Sequence, residues 1–287
     1  MLEIILLLVA FIGSILSSYF DLKTTEIPDE IPYVMMGIGI VGNLIKSYLV
    51  WSYWPFLFSV IIGLGFLGFG FIMYFTGQWG GGDAKLLSGI GFLLPSLPPE
   101  INVRLFFPFP LSFFFNVFLV GAGYIILYAL AMSIKHKKIW FVFFKDLRAN
   151  VKTIALFSSA LILFFTVFGI IFVRYYPILM TKEAVIFTVI VSVSFIGLFI
   201  LWKFVKAVEN VGFKKKIPVS ELKVGDVPMD YKVWDGITEK ELKKIKKSGK
   251  KYVWIKEGVR FAPTFPLALI FTIVFGDGIL VLMNLFV

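Results

Sequence analysis

The sequence predicts an all-α integral membrane protein with about eight transmembrane helices and a small cytoplasmic α+β domain before the last helix. Hydrophobic residues make up 59% of the 287 positions and charged residues only 16%, whereas about 25% of the residues in a soluble domain are charged. Mean hydropathy is correspondingly high, at +0.91. The apolar residues also lie in runs of the length that a spanning helix needs, about 20 residues. We therefore expect a multi-pass protein of the cell membrane, in contact with the lipid bilayer.

Eight apolar runs are interpreted as the spans. They cover residues 4–20, 31–45, 55–76, 84–97, 111–134, 153–173, 184–202 and 263–287. The first run lacks a preceding basic segment and a small-residue cleavage site, which is typical of a retained helix. The fourth run is short and ends in a proline-rich segment at 95–99, so we expect it to be tilted or sheltered by its neighbours.

The runs divide the chain into four segments. Residues 1–134 form the predicted membrane core, and 135–202 contain a basic cytoplasmic loop with two further spans. Residues 203–262 form the small cytoplasmic domain, and 263–287 are the last span. Within the small domain, Thr238 and Glu241 have the spacing of a capping box for a helix over 239–247. Gly249 suits the end of that helix, and 252–256 are predicted to be a strand.

The scarce residue types exclude several kinds of site. The chain has no cysteine, which excludes disulfides, Cys-ligated metals and thiol nucleophiles. Its one histidine, His136, excludes a multi-histidine metal site and argues against a Ser/His nucleophile. We therefore expect no metal and no cofactor. The net charge of +10 lies in a few loops, which indicates membrane topology and not nucleic-acid binding.

The distribution of basic residues predicts the orientation in the membrane. Segment 203–260 carries 16 Lys and Arg against eight Asp and Glu, and the loop at 135–152 is also basic. Both should be cytoplasmic by the positive-inside rule, and the two spans between them allow this. The loops after the first and third spans are then cytoplasmic as well. Asp21 and Asp83 are therefore expected at the same membrane face.

Asp21 and Asp83 are the candidate catalytic pair. Asp83 follows Gly80, Gly81 and Gly82, and glycines permit positive φ and close approach of another chain. Two carboxyls in a partly dry site share a proton, because both cannot ionise easily. The ionised member can then activate water while the protonated member hydrogen-bonds a peptide carbonyl, which is aspartyl protease chemistry. The plain alternative for Asp21 is a solvated residue at a helix boundary, and the glycine run by itself could be a hinge or a tight turn between helices.

Other acids are weaker candidates. Glu26, Asp29 and Glu30 make the first cytoplasmic loop acidic, which would attract a basic substrate segment, although most such runs are solvated faces. Asp277 lies in the last predicted span, where an ionisable residue is a functional candidate by default. Its place in the outer half of that span separates it from the other acids, so we favour a structural hydrogen bond.

The two motifs resemble those of the prepilin and preflagellin peptidase family, membrane aspartyl proteases with a GxGD signature. The resemblance rests on Asp21 in DLKTTEIPDE and on Gly80, Gly82 and Asp83 in GGGDAK. It implies removal of short basic leaders from type IV prepilin-like or archaellin precursors at the cytoplasmic face, with Gly80 to Gly82 and the acidic loop beside the substrate. Segment 217–263 resembles a C-terminal extension of archaeal members. Without cysteine, the chain departs from bacterial members that also methylate their products.

Three alternatives stay open at this point. The first is a protease of the presenilin and signal peptide peptidase kind, which uses the same GxGD chemistry; residues 263–269 only loosely resemble its PAL motif. The second is a proton-coupled transporter that depends on Asp277, although the halves of the chain show no convincing repeat. The third is an assembly factor that holds pilin-like helices without cutting them.

Overall fold

A computed structural model describes residues 1–175, 181–229, 236–256, 259–278 and 280–281. The chain forms two compact units. One contains Met1–Leu127 together with the described residues from Lys215 onward, and the other is Tyr128–Lys214. The predicted segment boundaries at 134, 202 and 262 stay predictions.

Most described residues are helical. The helices are α1 (Leu2–Thr24), α2 (Glu30–Leu49), α3 (Trp54–Phe75), α4 (Gly81–Leu93), α5 (Phe109–Lys135), α6 (Lys138–Ala149), α7 (Val151–Tyr175), α8 (Thr181–Gly212), α9 (Glu239–Lys247) and α10 (Thr264–Phe275). The strands are β1 (Lys214–Pro218), β2 (Val227–Pro228) and β3 (Tyr252–Lys256), and Val219–Glu221 form a short 3₁₀ turn.

Among the described residues, five helices are long and apolar enough to cross a membrane. They are α1, α3 and α5, together with Val151–Ile171 of α7 and Val191–Gly212 of α8. Each corresponds to a predicted span. The other predicted spans correspond to α2, to the 13-residue α4 and to the 12-residue α10, and part of the last one, at 279 and 282–287, lies outside the described residues. The multi-pass prediction is supported, whereas the number eight stays a proposal.

The basic segment 135–152 differs from its prediction as a loop, because most of it is α6. The helix buries Ile139 and Phe143 against Phe204 and Val208 of α8, within the second unit. Lys145 and Arg148 point away from that contact and are exposed. This segment is an amphipathic helix, which a charge count alone does not reveal.

Side chains of neighbouring helices hydrogen-bond the C-terminal end of α4, which is short. Its 13 residues span about 20 Å at 1.5 Å per residue, less than the roughly 30 Å of a bilayer core. Helix ends leave carbonyls without partners. Here Ser59 Oγ donates to Phe92 O at 2.6 Å, and Asn43 Nδ2 donates to the same oxygen at 3.0 Å. Buried among α1, α2 and α3, α4 is sheltered, as the sequence predicts.

The polar domain, residues 214–262, contains a three-stranded sheet in the order β1-β3-β2. β2 pairs antiparallel with β3, with Val227 opposite Lys256. The predicted helix, strand and capping box are confirmed: Thr238 N–H donates to Glu241 Oε2 at 2.8 Å, and Thr238 Oγ1 accepts from Glu241 N–H. Gly249 has φ 72° just after α9. The small core of this domain contains Ile217, Leu222, Ile237 and Ile255.

Candidate active site

Asp21 lies in the last turn of α1 and is buried, with 7% of its surface exposed. The helix ends at Thr24, and the next residue, Thr25, has a left-handed φ of 62° and donates its N–H to Asp21 O at 2.9 Å. The side chain is held from elsewhere in the chain, because Asp21 Oδ2 accepts a 2.9 Å hydrogen bond from Ala262 N–H. Asp21 is therefore a fixed, buried carboxyl and not a solvated boundary residue.

Asp83 lies in the first turn of α4 and is equally buried, at 8% exposure. Its Oδ2 accepts a 3.2 Å hydrogen bond from Gly80 N–H, as a residue at this position of a capping box does. Its Oδ1 is buried and has no hydrogen-bond partner within the described part of the chain. One oxygen of this carboxyl therefore has a structural role, and the other is available for chemistry.

The glycines before Asp83 act by allowing close packing. Gly80 has φ −75°, and none of the three glycines has positive φ. Gly81 and Gly82 instead form the first turn of α4, after the N-cap residue Gly80. A Cβ added to Gly82 would lie 2.9 Å from Ile27 Cβ, whereas at Gly81 the nearest atom, on Tyr74, would be 3.7 Å away. The glycine that the geometry requires here is Gly82, because a larger residue would push away the segment that follows Asp21.

Both acids line one cavity of about 490 Å³. The membrane helices supply part of the wall, including Trp79 and Gly80 before α4 and Phe118 and Gly121 on α5. The polar domain supplies another part through three stretches: Gly225–Val227, Ile255–Lys256 and Val259–Phe261. The cavity is large enough for several residues of an extended peptide and brings a substrate to both acids at once.

Burial changes the acid–base properties of Asp83. Loss of water around the carboxyl, and then the nearby charge of Asp21, raise the pKa of Asp83 from 3.8 to about 7, although the Gly80 N–H acts in the opposite direction. An ionised carboxylate is disfavoured both by a dry site and by a second carboxylate beside it. Near neutral pH, the pair can therefore hold one proton between its two members.

The sequence analysis missed the contribution of the polar domain to this site. Ala262 N–H bonds Asp21, and Arg260 is close enough for its charge to act on the Asp21 carboxyl. Phe261, between them, packs against Trp79 with ring centroids 5.5 Å apart. An arginine and an aromatic residue directly before an apolar helix were the available signal, but nothing local connects them to residue 21.

The three acids of the first loop lie in different surroundings. Glu26 is exposed and lines the cavity. Asp29 forms a salt bridge with Lys85, with both carboxylate oxygens 2.7 Å from Nζ. Glu30 begins α2, and it is not among the cavity residues. The structure thus brings Glu26 to the cavity of the candidate catalytic pair, whereas Asp29 and Glu30 are not among the cavity residues.

Asp277 is engaged in structural hydrogen bonds, as the sequence analysis favoured. Its two carboxylate oxygens accept from Ser112 Oγ and from Phe106 N–H, at the start of α5. Asn116 continues the network by donating to Gly276 O at 2.8 Å and accepting from Gly278 N–H at 2.9 Å. This arrangement ties the end of α10 to α5.

Comparison with known proteins finds a family match within the membrane core. Residues 8–126 match the sequence model of the type IV leader peptidase family, a segment that contains both Asp21 and Asp83. Prepilin peptidase EppA of Methanothermobacter thermautotrophicus is 26% identical over 135 residues. Preflagellin peptidases are 29% identical over 155 residues in Methanococcus voltae and 35% over 101 residues in Methanocaldococcus jannaschii. The resemblance to prepilin and preflagellin peptidases is confirmed for this segment.

The matches cover only part of this chain and only part of each relative. The three aligned regions cover 44%, 50% and 34% of this chain and 35%, 59% and 42% of the relatives' own lengths. The family match ends at residue 126, before the second unit and the polar domain. The cavity wall from 225 to 261 therefore lies outside the part of the chain that the family model describes.

Proposed function

We propose that this protein is a membrane aspartyl endopeptidase that removes leader peptides from prepilin-like or preflagellin precursors, with Asp21 and Asp83 as its catalytic pair. The observation that carries the proposal is that these two acids, 62 positions apart in sequence, are both buried and line the same cavity. The family match across both acids supports the reaction class.

The chemistry requires only one ionised and one protonated carboxyl. The carboxylate accepts a proton from a water molecule as the water oxygen bonds to the scissile carbonyl carbon. The carboxylic acid hydrogen-bonds the carbonyl oxygen, where negative charge develops. Collapse of the tetrahedral intermediate breaks the C–N bond as the leaving nitrogen receives a proton, which gives a free carboxyl and a free amine. No metal or cofactor enters this scheme.

The substrate would enter with its cleavage segment extended. Helical backbone groups are hydrogen-bonded to one another, so a scissile bond must be locally unwound. We place the apolar helix of the precursor in lipid beside α3, whose surface carries glycines, and the leader against Glu26. Gly80, Gly81 and Gly82, with Asp29 and Glu30, remain proposed contacts of the substrate.

We further propose that the site is at the cytoplasmic face of the cell membrane. The basic composition of 135–152 and 203–260 supports this orientation by the positive-inside rule. The same argument assigns eight spans to the full chain, with the polar domain on the cytoplasmic side. Lysine accessibility to a membrane-impermeant reagent in sealed cells would test it, since Lys243 and Lys247 on α9 should be protected until the cells are opened.

The function is tested by cleavage of precursors with purified protein in detergent. A prepilin and a preflagellin should each lose a leader, detected by the mass of the product. Asp21→Asn and Asp83→Asn should both abolish cleavage, whereas Glu239→Gln, an acid-to-amide change on the exposed first turn of α9, should not change it. Processing that survives either aspartate change would refute the catalytic pair. If the protein bound the precursor without shortening it, an assembly factor would be favoured. A cut inside the apolar helix of the precursor would favour a presenilin-like protease.

A further inference from the structure

We infer that the segment Arg260–Ala262 makes the catalytic pair asymmetric: it holds Asp21 as the carboxylate that accepts the proton from water and leaves Asp83 as the carboxylic acid that binds the scissile carbonyl. This inference rests on the proposed function and assigns a role to each acid. Arg260 is then a positioning residue, because it acts through Asp21.

The first support is the set of groups around Asp21. Burial raises the pKa of Asp21, but two neighbouring groups act in the opposite direction. Ala262 N–H donates to Asp21 Oδ2 at 2.9 Å in a buried setting, and the positive charge of Arg260 acts on the same carboxyl. An N–H donor and a nearby cation both stabilise a carboxylate anion. Arg260 itself is only partly buried and lines the cavity, so its charge faces the place where a substrate would lie.

The second support is that aromatic packing fixes this segment. Phe261 packs against Trp79 and Phe265, with ring centroids 5.5 and 5.8 Å away. Across from it lies Gly121 of α5, where an added Cβ would be only 3.0 Å from the Phe261 ring. Trp79 directly precedes Gly80, which bonds Asp83. One aromatic cluster therefore contacts the segments that hold both acids.

The third support is the different surroundings of Asp83. Its Oδ2 accepts from Gly80 N–H, and its buried Oδ1 has no partner among the described residues. The charged group that acts on it is Asp21, a second acid. Among the described residues, the other charged groups that line the cavity are Glu26, Asp226, Lys256 and Arg260. Each acid accepts one backbone N–H bond, so the difference between them is the cation Arg260, which acts on Asp21. A shared proton is therefore favoured on Asp83.

The test compares Arg260→Gln and Arg260→Lys with Arg148→Gln, a matched change on the exposed end of α6. The readout is kcat/KM for precursor cleavage as a function of pH. Arg260→Gln should move the acid limb about one pH unit higher, the size of effect that a neighbouring cation exerts on a carboxyl. Activity below that limb then falls about tenfold. Arg260→Lys should restore the wild-type limb, and Arg148→Gln should not change it.

Two results would overturn the inference and leave the proposed function intact. One is an unchanged pH profile in Arg260→Gln while Asp21→Asn and Asp83→Asn are inactive. The other is a lower activity of Arg260→Gln at every pH, either with the acid limb unmoved or with no recovery in Arg260→Lys. Such a result would mean that Arg260 only supports the fold.

A second measurement does not depend on activity. Thermal unfolding at neutral pH is compared for wild type, Arg260→Gln, Asp21→Asn and the double variant. Charge coupling predicts that Arg260→Gln lowers the midpoint by about 2 °C in the wild-type background and leaves it unchanged in the Asp21→Asn background. Equal shifts in the two backgrounds would refute the inference even if no precursor were cleaved.

Discussion

Ile27 packs directly on Gly82, at a point where an added Cβ would lie 2.9 Å from Ile27 Cβ and 3.2 Å from its Cγ1. Ile27 belongs to the segment that follows Asp21, and Gly82 directly precedes Asp83. The contact therefore joins the two segments that carry the candidate catalytic residues. A side chain at position 82 would have to displace the segment that carries Ile27.

Gly82→Ala should consequently impair cleavage. The overpacking costs about 1–3 kcal/mol, against a gain of about 1 kcal/mol from replacing a helical glycine. A shift of the Ile27 segment should lower kcat by at least about tenfold, because catalysis is sensitive to displacements of about 1 Å. Gly37→Ala in α2 is the control, since nothing lies within 4 Å of its added Cβ. Equal activity of the two variants would contradict this role for the Gly82 contact.

Activity should decline as the pH rises above about 7. The pKa of Asp83 is raised to about 7 by burial and by the Asp21 charge, so its proton is lost near that pH. In a plot of kcat/KM against pH, the alkaline limb should lie near pH 7 and fall about tenfold per pH unit. The value belongs to the pair of carboxyls and not to one acid alone. A profile of kcat/KM that stays flat up to pH 9 would contradict the predicted alkaline limb.

The same proton affects stability. Because the pKa of Asp83 in the folded protein is above its ordinary 3.8, the folded state binds this proton more tightly than the unfolded chain does. The stability that it contributes is fully present below about pH 4 and is lost as the pH rises to about 7. The difference in thermal midpoint between wild type and Asp83→Asn should therefore change across that window and level off above it.

Glu26 should contribute to binding of the leader and not to the chemical step. It is exposed and lines the cavity, where an ion pair with a basic leader would contribute about 1 kcal/mol. Glu26→Gln should raise KM about fivefold with little change in kcat, and added salt should reduce the difference. Asp29→Asn and Glu30→Gln are compared with it. A larger effect at those two positions would mean that the leader lies along the outer side of the loop.

Gly225 should be sensitive to substitution for two separable reasons. Its φ is +95°, and an added Cβ would lie 2.5 Å from Glu26 Oε1. Gly249 also has positive φ, +72°, but nothing lies near its added Cβ. Backbone strain of about 1–2 kcal/mol should lower the thermal midpoint of both Gly225→Ala and Gly249→Ala. Only Gly225→Ala should also raise KM, because its added Cβ displaces Glu26. An unchanged KM in this variant would mean that Glu26 does not take part in substrate binding.

Much of the fold follows from the sequence because the signals are local. Five predicted spans correspond to helices that are long and apolar enough to cross a bilayer, since span length depends only on a continuous apolar run. The capping box of Thr238 and Glu241 predicts the start of α9, because both partners lie within one turn. The same kind of reasoning selected Asp21 and Asp83 as acids at the ends of apolar runs. It missed α6, whose amphipathic pattern sits within a basic segment.

The composition of the site was decided by the tertiary structure. Asp21 is bonded by Ala262, 241 positions away in the chain, and no local pattern encodes a contact of that length. The sequence analysis predicted the polar domain without assigning it a role in the site, yet the domain forms part of the cavity wall with Arg260 and Gly225. Apolar runs and caps specify elements one at a time, whereas burial and the pKa of a carboxyl depend on what packs around it. The sequence by itself therefore determined which acids were candidates, and the packing of α1, α4 and the segment before α10 determined their surroundings.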